Sequence, residues 1–159
     1  MKSIYLIRHS DAGGGLSDID RPLTQNGLNH CAQMAPKLTA AGCDFDTTFV
    51  SPAVRAQQTI QQLANSLTGS PIEWSTDDML YTFEWPILLG WLENVDDRHD
   101  TITVVGHNPA VSEVAHFLTG ADIGQVPPCT CIHISAFVAN WRDLYRECGQ
   151  LMASLYPVE

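Results

Sequence analysis

Short apolar, β-branched runs recur along this chain, and the stretches between them carry apolar residues at helical spacing. Residues 4–7 (Ile-Tyr-Leu-Ile), 47–50 (Thr-Thr-Phe-Val), 72–74 (Ile-Glu-Trp) and 102–105 (Ile-Thr-Val-Val) read as strands, the first buried on both faces. Thr24 suits a helix N-cap, Leu28, Cys31, Ala32, Ala35 and Leu38 an inward stripe, and Gly42 the helix end. Pro36 inside that segment predicts a kink. Ser51-Pro52 predicts a second helix, with serine as cap and proline first, running to about Leu67 with Ala56, Ile60, Leu63 and Leu67 inward. Residues 84–92 predict a third helix, and Asn108-Pro109 opens a fourth that ends near Leu118. Late strands are expected at 132–138 and 150–155. Such alternation implies an α/β fold of three layers, α/β/α, around a mostly parallel central sheet. The 159 residues hold no repeat or linker, so one domain over 1–159 is expected.

Sheets of this kind bind ligands beyond the carboxyl ends of their strands. Three strands here end in related chemistry: Arg8-His9, Ser51 leading to Arg55, and Gly106-His107. Taken singly, each has a plain structural reading, such as a solvated helix arginine or a hydrogen-bonded core histidine. Converging on one edge, they suit a phosphoryl group. Arg8 and Arg55 can grip its oxygens through the guanidinium fork, and Arg55 falls in a first helical turn, where free N–H groups also favour an anion. His107 can add a hydrogen bond, and a neutral His9 imidazole can attack phosphorus.

The bulk charge narrows the partners. Eight Lys and Arg against 18 Asp and Glu give a net charge of -10 and a pI near 4.8. That balance excludes nucleic acid and an anionic membrane surface as partners. Five cysteines at irregular spacing do not form a disulfide framework. The apolar run at 4–7 is too short for a signal-peptide core, and no stretch approaches the ~18 apolar residues of a membrane span. A cytoplasmic, monomeric protein is expected.

Three segments together resemble a known family: Arg8-His9-Ser10, Ser51-Pro52-Ala53-Val54-Arg55-Ala56-Gln57-Gln58-Thr59, and Val104-Val105-Gly106-His107-Asn108-Pro109. In this order they resemble the histidine phosphatase superfamily. Arg21-Pro22-Leu23-Thr24, followed by Gly27, resembles its short SixA-type phosphohistidine phosphatases. The resemblance spans roughly residues 4–157. It implies a phosphoglycerate-mutase-like fold, His9 as the phosphorylated nucleophile, and Arg8, Arg55 and His107 as the phosphate pocket. It implies no metal and no organic cofactor.

Two departures bear on mechanism. The family usually has glycine after the nucleophile; Ser10 stands here and is expected to add a hydroxyl to the pocket, with Arg21 as a further phosphate or substrate contact. Many ester-cleaving members carry a glutamate proton donor after the third strand. Within residues 79–85 Glu84 is the one carboxylate, placed late for that match. Asp18 and Asp20 are alternative donors, whose plain reading is solvated loop carboxylates. General acids commonly supply ~10²–10⁴-fold, so a doubtful acid favours a leaving group that needs none. Residues 74–101 leave little room for a lid over a sugar-type substrate, and an open pocket suits a phosphorylated side chain.

The expected function is therefore hydrolysis of a phosphorylated protein histidine, such as that of a histidine-containing phosphotransfer domain, through phospho-His9. A small phosphate ester as substrate and a non-catalytic phosphate-binding module are the alternatives. Cys129, Cys131 and His133 alternate as strand-borne metal ligands could, but no second ligand cluster accompanies them, and they read as structural. Gly13-Gly14-Gly15 lacks the lysine of a P-loop and reads as a flexible loop bordering the pocket. The four tryptophans read as core anchors.

Overall fold

Strand β1 (Lys2–Arg8) sets the layering, because its side chains alternate between two separate cores. Ile4 and Leu6 face one cluster with Ile102, Val104, Val111, Ile132 and Trp141. Tyr5 and Ile7 face the other with Cys31, Met34, Val50, Ile60 and Val105. A strand covered on both faces must be apolar throughout, which is why this run does not alternate with polar residues. The computed structural model describes residues 1–67, 69 and 71–157.

The elements follow in the order β1, α1 (Gln25–Ala40), β2 (Thr48–Val50), α2 (Val54–Ser66), β3 (Trp74–Thr76), α3 (Trp85–Glu93), β4 (Thr101–Gly106), α4 (Ala110–Thr119), β5 (Cys131–Ala136) and β6 (Gly149–Leu155). They build one six-stranded sheet in the order β3-β2-β4-β1-β5-β6. Pairings β3-β2, β2-β4 and β4-β1 are parallel, and β5 runs antiparallel to both β1 and β6. Helices α1 and α2 pack together over one face, and α3 and α4 over the other, giving the three-layer α/β/α fold. Among the described residues no helix is long and apolar enough to cross a membrane.

Several boundaries differ from the sequence expectation. In α1 the inward stripe is Gly27, Cys31, Met34, Ala35 and Leu38, while Ala32 is exposed and Leu28 half-buried. Pro36 lies inside α1 without ending it; it has no N–H to offer the Ala32 carbonyl, and both residues are exposed. Helix α2 begins at Val54, not at Pro52; residues 51–53 stay outside the helix, and the Ser51 hydroxyl oxygen meets His107 Nε2 while accepting the Ala53 amide. Strand β3 lies two residues later than expected, in register with Thr48–Val50. Glu84 caps α3 instead of opening it, and β5 ends at Ala136, before Val138.

The cysteine segment is structural in its contacts. Cys129 precedes β5 at φ 66, with its sulfur 3.9 Å from that of Cys31. His133 shares a 2.8 Å hydrogen bond with the Ser3 hydroxyl and stacks on Tyr5. Among the described residues no three His, Cys, Asp or Glu side chains form a metal-binding group. Of the tryptophans, Trp141 is fully buried, and its indole donates to the His99 carbonyl at 2.8 Å.

Candidate active site

The register of the sheet brings two histidines side by side. Arg8 pairs with Gly106 across the parallel β1-β4 ladder, so the next residue on each strand is His9 and His107. The His9 amide still donates to the Gly106 carbonyl at 3.0 Å, and the two ring centroids lie 5.3 Å apart. That spacing is close to the ~4.8 Å between hydrogen-bonded strands. On the far side of β4, the Ser51 amide donates to the Val105 carbonyl at 3.1 Å, so β2 ends beside the same rim. Three adjacent strand ends thus deliver His9, His107 and Ser51.

Hydrogen-bond partners define both tautomers. His9 Nδ1 is 2.7 Å from the Ser10 carbonyl, which can only accept, so Nδ1 carries the proton and Nε2 the lone pair. The Arg55 Nε–H donates to that Nε2 at 3.3 Å. His107 Nδ1 lies 3.3 Å from Arg55 Nη2, which can only donate, so its proton is on Nε2 and goes to the Ser51 hydroxyl oxygen at 2.8 Å. The Ser51 oxygen also accepts the Ala53 amide at 3.2 Å. Burial is the main force pushing the His9 imidazole down to about 4; Arg55 and Arg8 add to it against the Ser10 hydrogen bond. Burial, then His9 and Arg55, push His107 down to about 3. Both rings are neutral at physiological pH, as a nitrogen nucleophile requires.

Arg55 is the hub. Its side chain is 1% exposed, a position a guanidinium tolerates only with partners. Besides the two imidazoles it donates to the Asp18 carbonyl at 2.6 Å and to Asp18 Oδ2 at 3.0 Å. Arg8 is anchored by Nη1 on the Val126 carbonyl at 2.6 Å. Thr59, one turn along α2 from Arg55, locks the loop below: its hydroxyl donates to the Arg55 carbonyl at 2.7 Å and accepts the Ser10 amide at 2.9 Å.

The remaining candidates part ways. Asp18, on a short 3-10 turn (Asp18–Asp20), is not a free loop carboxylate. It accepts from the Tyr81 hydroxyl, from Arg55 and, at 3.1 Å, from Arg21 Nη1. The Tyr81 hydrogen bond first, then those of Arg55 and Arg21, hold its carboxyl well below the usual range. Arg21 also donates from Nε to the Gly13 carbonyl at 2.8 Å, tying down the glycine loop. Ser10 does not add its hydroxyl to the pocket: the side chain is fully buried and donates to the Gly27 carbonyl at 2.7 Å. Glu84 is exposed at the start of α3, with no hydrogen bond to the cluster, and among the described residues the Asp20 carboxylate accepts only from the Ser17 hydroxyl.

Sequence reasoning passed over Tyr81, Thr59 and the Ser51–His107 contact. Tyr81 falls inside the segment searched for a carboxylate, and its ring lies 5.4 Å from that of His107, with the Phe83 ring at 5.3 Å. A pair of aromatic residues two apart, after the third strand, was the available signal.

Residues 4–90, more than half of the chain, match the family model of the Histidine phosphatase superfamily (branch 1). An uncharacterized protein of Mycobacterium tuberculosis (strain H37Rv) is 27% identical over 162 residues, covering 95% of this chain and 99% of that protein. Phosphohistidine phosphatase SixA of Escherichia coli K12 is 35% identical over 65 residues, 40% of each chain. The structure of the protein histidine phosphatase SixA complexed with tungstate superposes with a TM-score of 0.80, over 98% of this chain and 97% of that one at 22% identity, a likeness of fold.

Proposed function

The chain belongs to the histidine phosphatase superfamily, and from that premise we propose that it is a phosphohistidine phosphatase acting on a phosphorylated protein through phospho-His9. The carrying observation is the state of Asp18. It is the one carboxylate among the described residues hydrogen-bonded to Arg55, and three donors hold it ionised. The two imidazoles are neutral, and their single protons are committed to the Ser10 carbonyl and to Ser51. No group in the cluster is poised to hand a proton to a leaving alkoxide.

A phosphohistidine does not need one. Its ring nitrogen remote from phosphorus can be protonated by solvent, since an imidazole has a pKa near ~6.5, and the ring then departs neutral. In the first step His9 Nε2 forms a bond to phosphorus in line while the bond to the substrate nitrogen breaks, its electron pair returning to that ring. One imidazole replaces another, so the bonds made and broken are alike. Arg8 and Arg55 counter the charge spread over the phosphoryl oxygens, while neutral His107, its one proton on Ser51, orients Arg55 through Nδ1. In the second step water attacks phosphorus, the bond to Nε2 breaks, both water protons leave with the phosphate as dihydrogen phosphate, and His9 keeps its Nδ1 proton. Phe83, 43% exposed beside His107, gives an arriving imidazole an aromatic flank.

The test is a comparison of kcat/KM for a phosphohistidine-bearing protein domain and for an aryl phosphate ester, with and without chelator. Turnover of the phosphoprotein is expected to exceed the ester by ~10²-fold or more, unchanged by chelator, with label from the donor trapped on His9 and lost in His9→Ala. Preferential ester hydrolysis would overturn the substrate while leaving the phospho-His9 route intact.

A further inference from the structure

Helices α3 and α4 pack side by side, and an open groove runs between their first turns. Phe83, Trp85, Ile87 and Pro109 give it apolar walls, and Glu84 and Glu113 place a carboxylate on each helix start. Its volume of about 420 Å³ falls in the range of ligand pockets. The groove is continuous with the active site. The Phe83 ring that lines it lies 5.3 Å from the His107 ring, and Pro109 follows His107 by two residues. Its chemistry is unspent. Phe83 and Ile87 are exposed although both are large and apolar. The ion pairs among the described residues use Asp18, Asp96, Asp97 and Asp100, never Glu84 or Glu113. Glu84 stands at the N-cap of α3 without a capping hydrogen bond from its side chain. Glu113 gains from the N-terminus of α4, which accounts for one carboxylate of the two.

We propose that this groove docks the segment of the phosphoprotein that flanks its phosphohistidine, and selects a flank carrying an apolar and a cationic side chain. The inference rests on the reading of the site as a phosphohistidine pocket. Continuity supplies the occupant: Phe83 borders both spaces, so a chain whose imidazole lies against that ring brings its neighbours to the mouth of the groove. An apolar neighbour covers Ile87 and Pro109, and a Lys or Arg meets Glu84 and Glu113. Charge argues for the same partner. An enzyme of net charge -10 repels a phosphorylated protein at long range, and cations beside the phosphohistidine offset that repulsion and fix the register. A second copy of this chain fits poorly, because it would bring its own -10 to two carboxylates. A small phosphate compound has no flank and leaves the groove empty.

Three substrates test this on the intact protein: free phosphohistidine, a phosphohistidine peptide with Leu and Lys within about four residues on each side (~13 Å when extended), and the same peptide with Glu in place of Lys. Wild type is expected to prefer the Lys peptide about tenfold in kcat/KM, the sum of several partly exposed charge contacts. Glu113→Lys is expected to cut that preference to about twofold. Asp46→Lys changes the net charge equally but lies before β2, at the opposite end of the sheet, and is expected to leave the preference intact. Ile87→Ser is expected to raise KM for the Lys peptide about fivefold. Neither groove variant is expected to alter turnover of free phosphohistidine, which also shows that each has folded. Equal use of the two peptides, an Asp46→Lys effect as large as that of Glu113→Lys, or a parallel loss on free phosphohistidine overturns the docking groove. Phosphohistidine turnover with any of these results sinks this inference alone, whereas no turnover of any of the three substrates sinks the phosphatase reading with it.

Discussion

The neutral state of two imidazoles is a cost that folding carries. In the unfolded chain each titrates near 6.5, whereas burial holds His9 down at about 4 and His107 at about 3. Between those values the unfolded chain binds protons that the native protein refuses, so stability rises with pH across that window and falls as pH drops below about 6.5. Roughly 1 kcal/mol per imidazole is expected to be lost between pH 6.5 and pH 5.5. Denaturant unfolding at these two values measures it, and His107→Gln, which cannot titrate, is expected to show about half the loss attributable to this pair. A variant with the full wild-type slope would place the acid sensitivity elsewhere. The same depression keeps His9 unprotonated, and so nucleophilic, down to about pH 4.

Elements were legible in the sequence where their cause is local. Strands β1 and β4 sit in the middle of the sheet and are covered on both faces, so their continuous apolar runs announce them. Thr24 caps α1 as its residue type suggests, its hydroxyl accepting the Gly27 amide at 3.0 Å. Misplacements arose where a distant partner decides. Ser51 looks like an N-cap, but its hydroxyl oxygen also receives the ring of His107 from 56 residues away, and the helix starts three residues later, at Val54. Tyr81 carries no motif, and its role beside Asp18 spans 63 residues. Ser10 reads as a pocket residue from its place after His9, yet the carbonyl that takes its hydroxyl lies in α1. That contact depends on how closely α1 approaches the loop after β1, and Gly27 makes the approach possible. A Cβ there would lie 2.2 Å from the Asp11 carbonyl oxygen. Helix propensity would favour Gly27→Ala by up to ~1 kcal/mol, but the clash is with backbone that cannot rotate away. A net destabilisation of about 1–3 kcal/mol is expected, together with lower turnover as the His9 loop shifts. Thermal melts alongside kcat measure both, and a stabilised variant would refute the close-packing argument.

At the scale of the whole molecule, a cationic pocket is embedded in a chain of net charge -10. The long-range field opposes anions that the local cluster attracts. Salt screens the first over about 8–10 Å and the buried cluster much less. For a small anionic phosphate compound, kcat/KM is therefore expected to rise as ionic strength goes from low values to about 0.15 M, the reverse of a phosphatase with a basic surface. A stopped-flow or steady-state salt series checks this, and a falling rate would show that the local cations dominate at a distance.

The adjacency of Arg8 and Gly106 in the ladder carries one more implication. The gap between the paired imidazoles is set by the pitch of backbone hydrogen bonding, a constant of β-structure that side-chain replacement scarcely alters. Mutational drift can lengthen the turns around the rim, exchange Phe83 or reshape the glycine loop, while the two rings stay a strand's width apart. Diversity in what such a scaffold dephosphorylates is thus confined to its perimeter, and redesign for a new substrate should begin there.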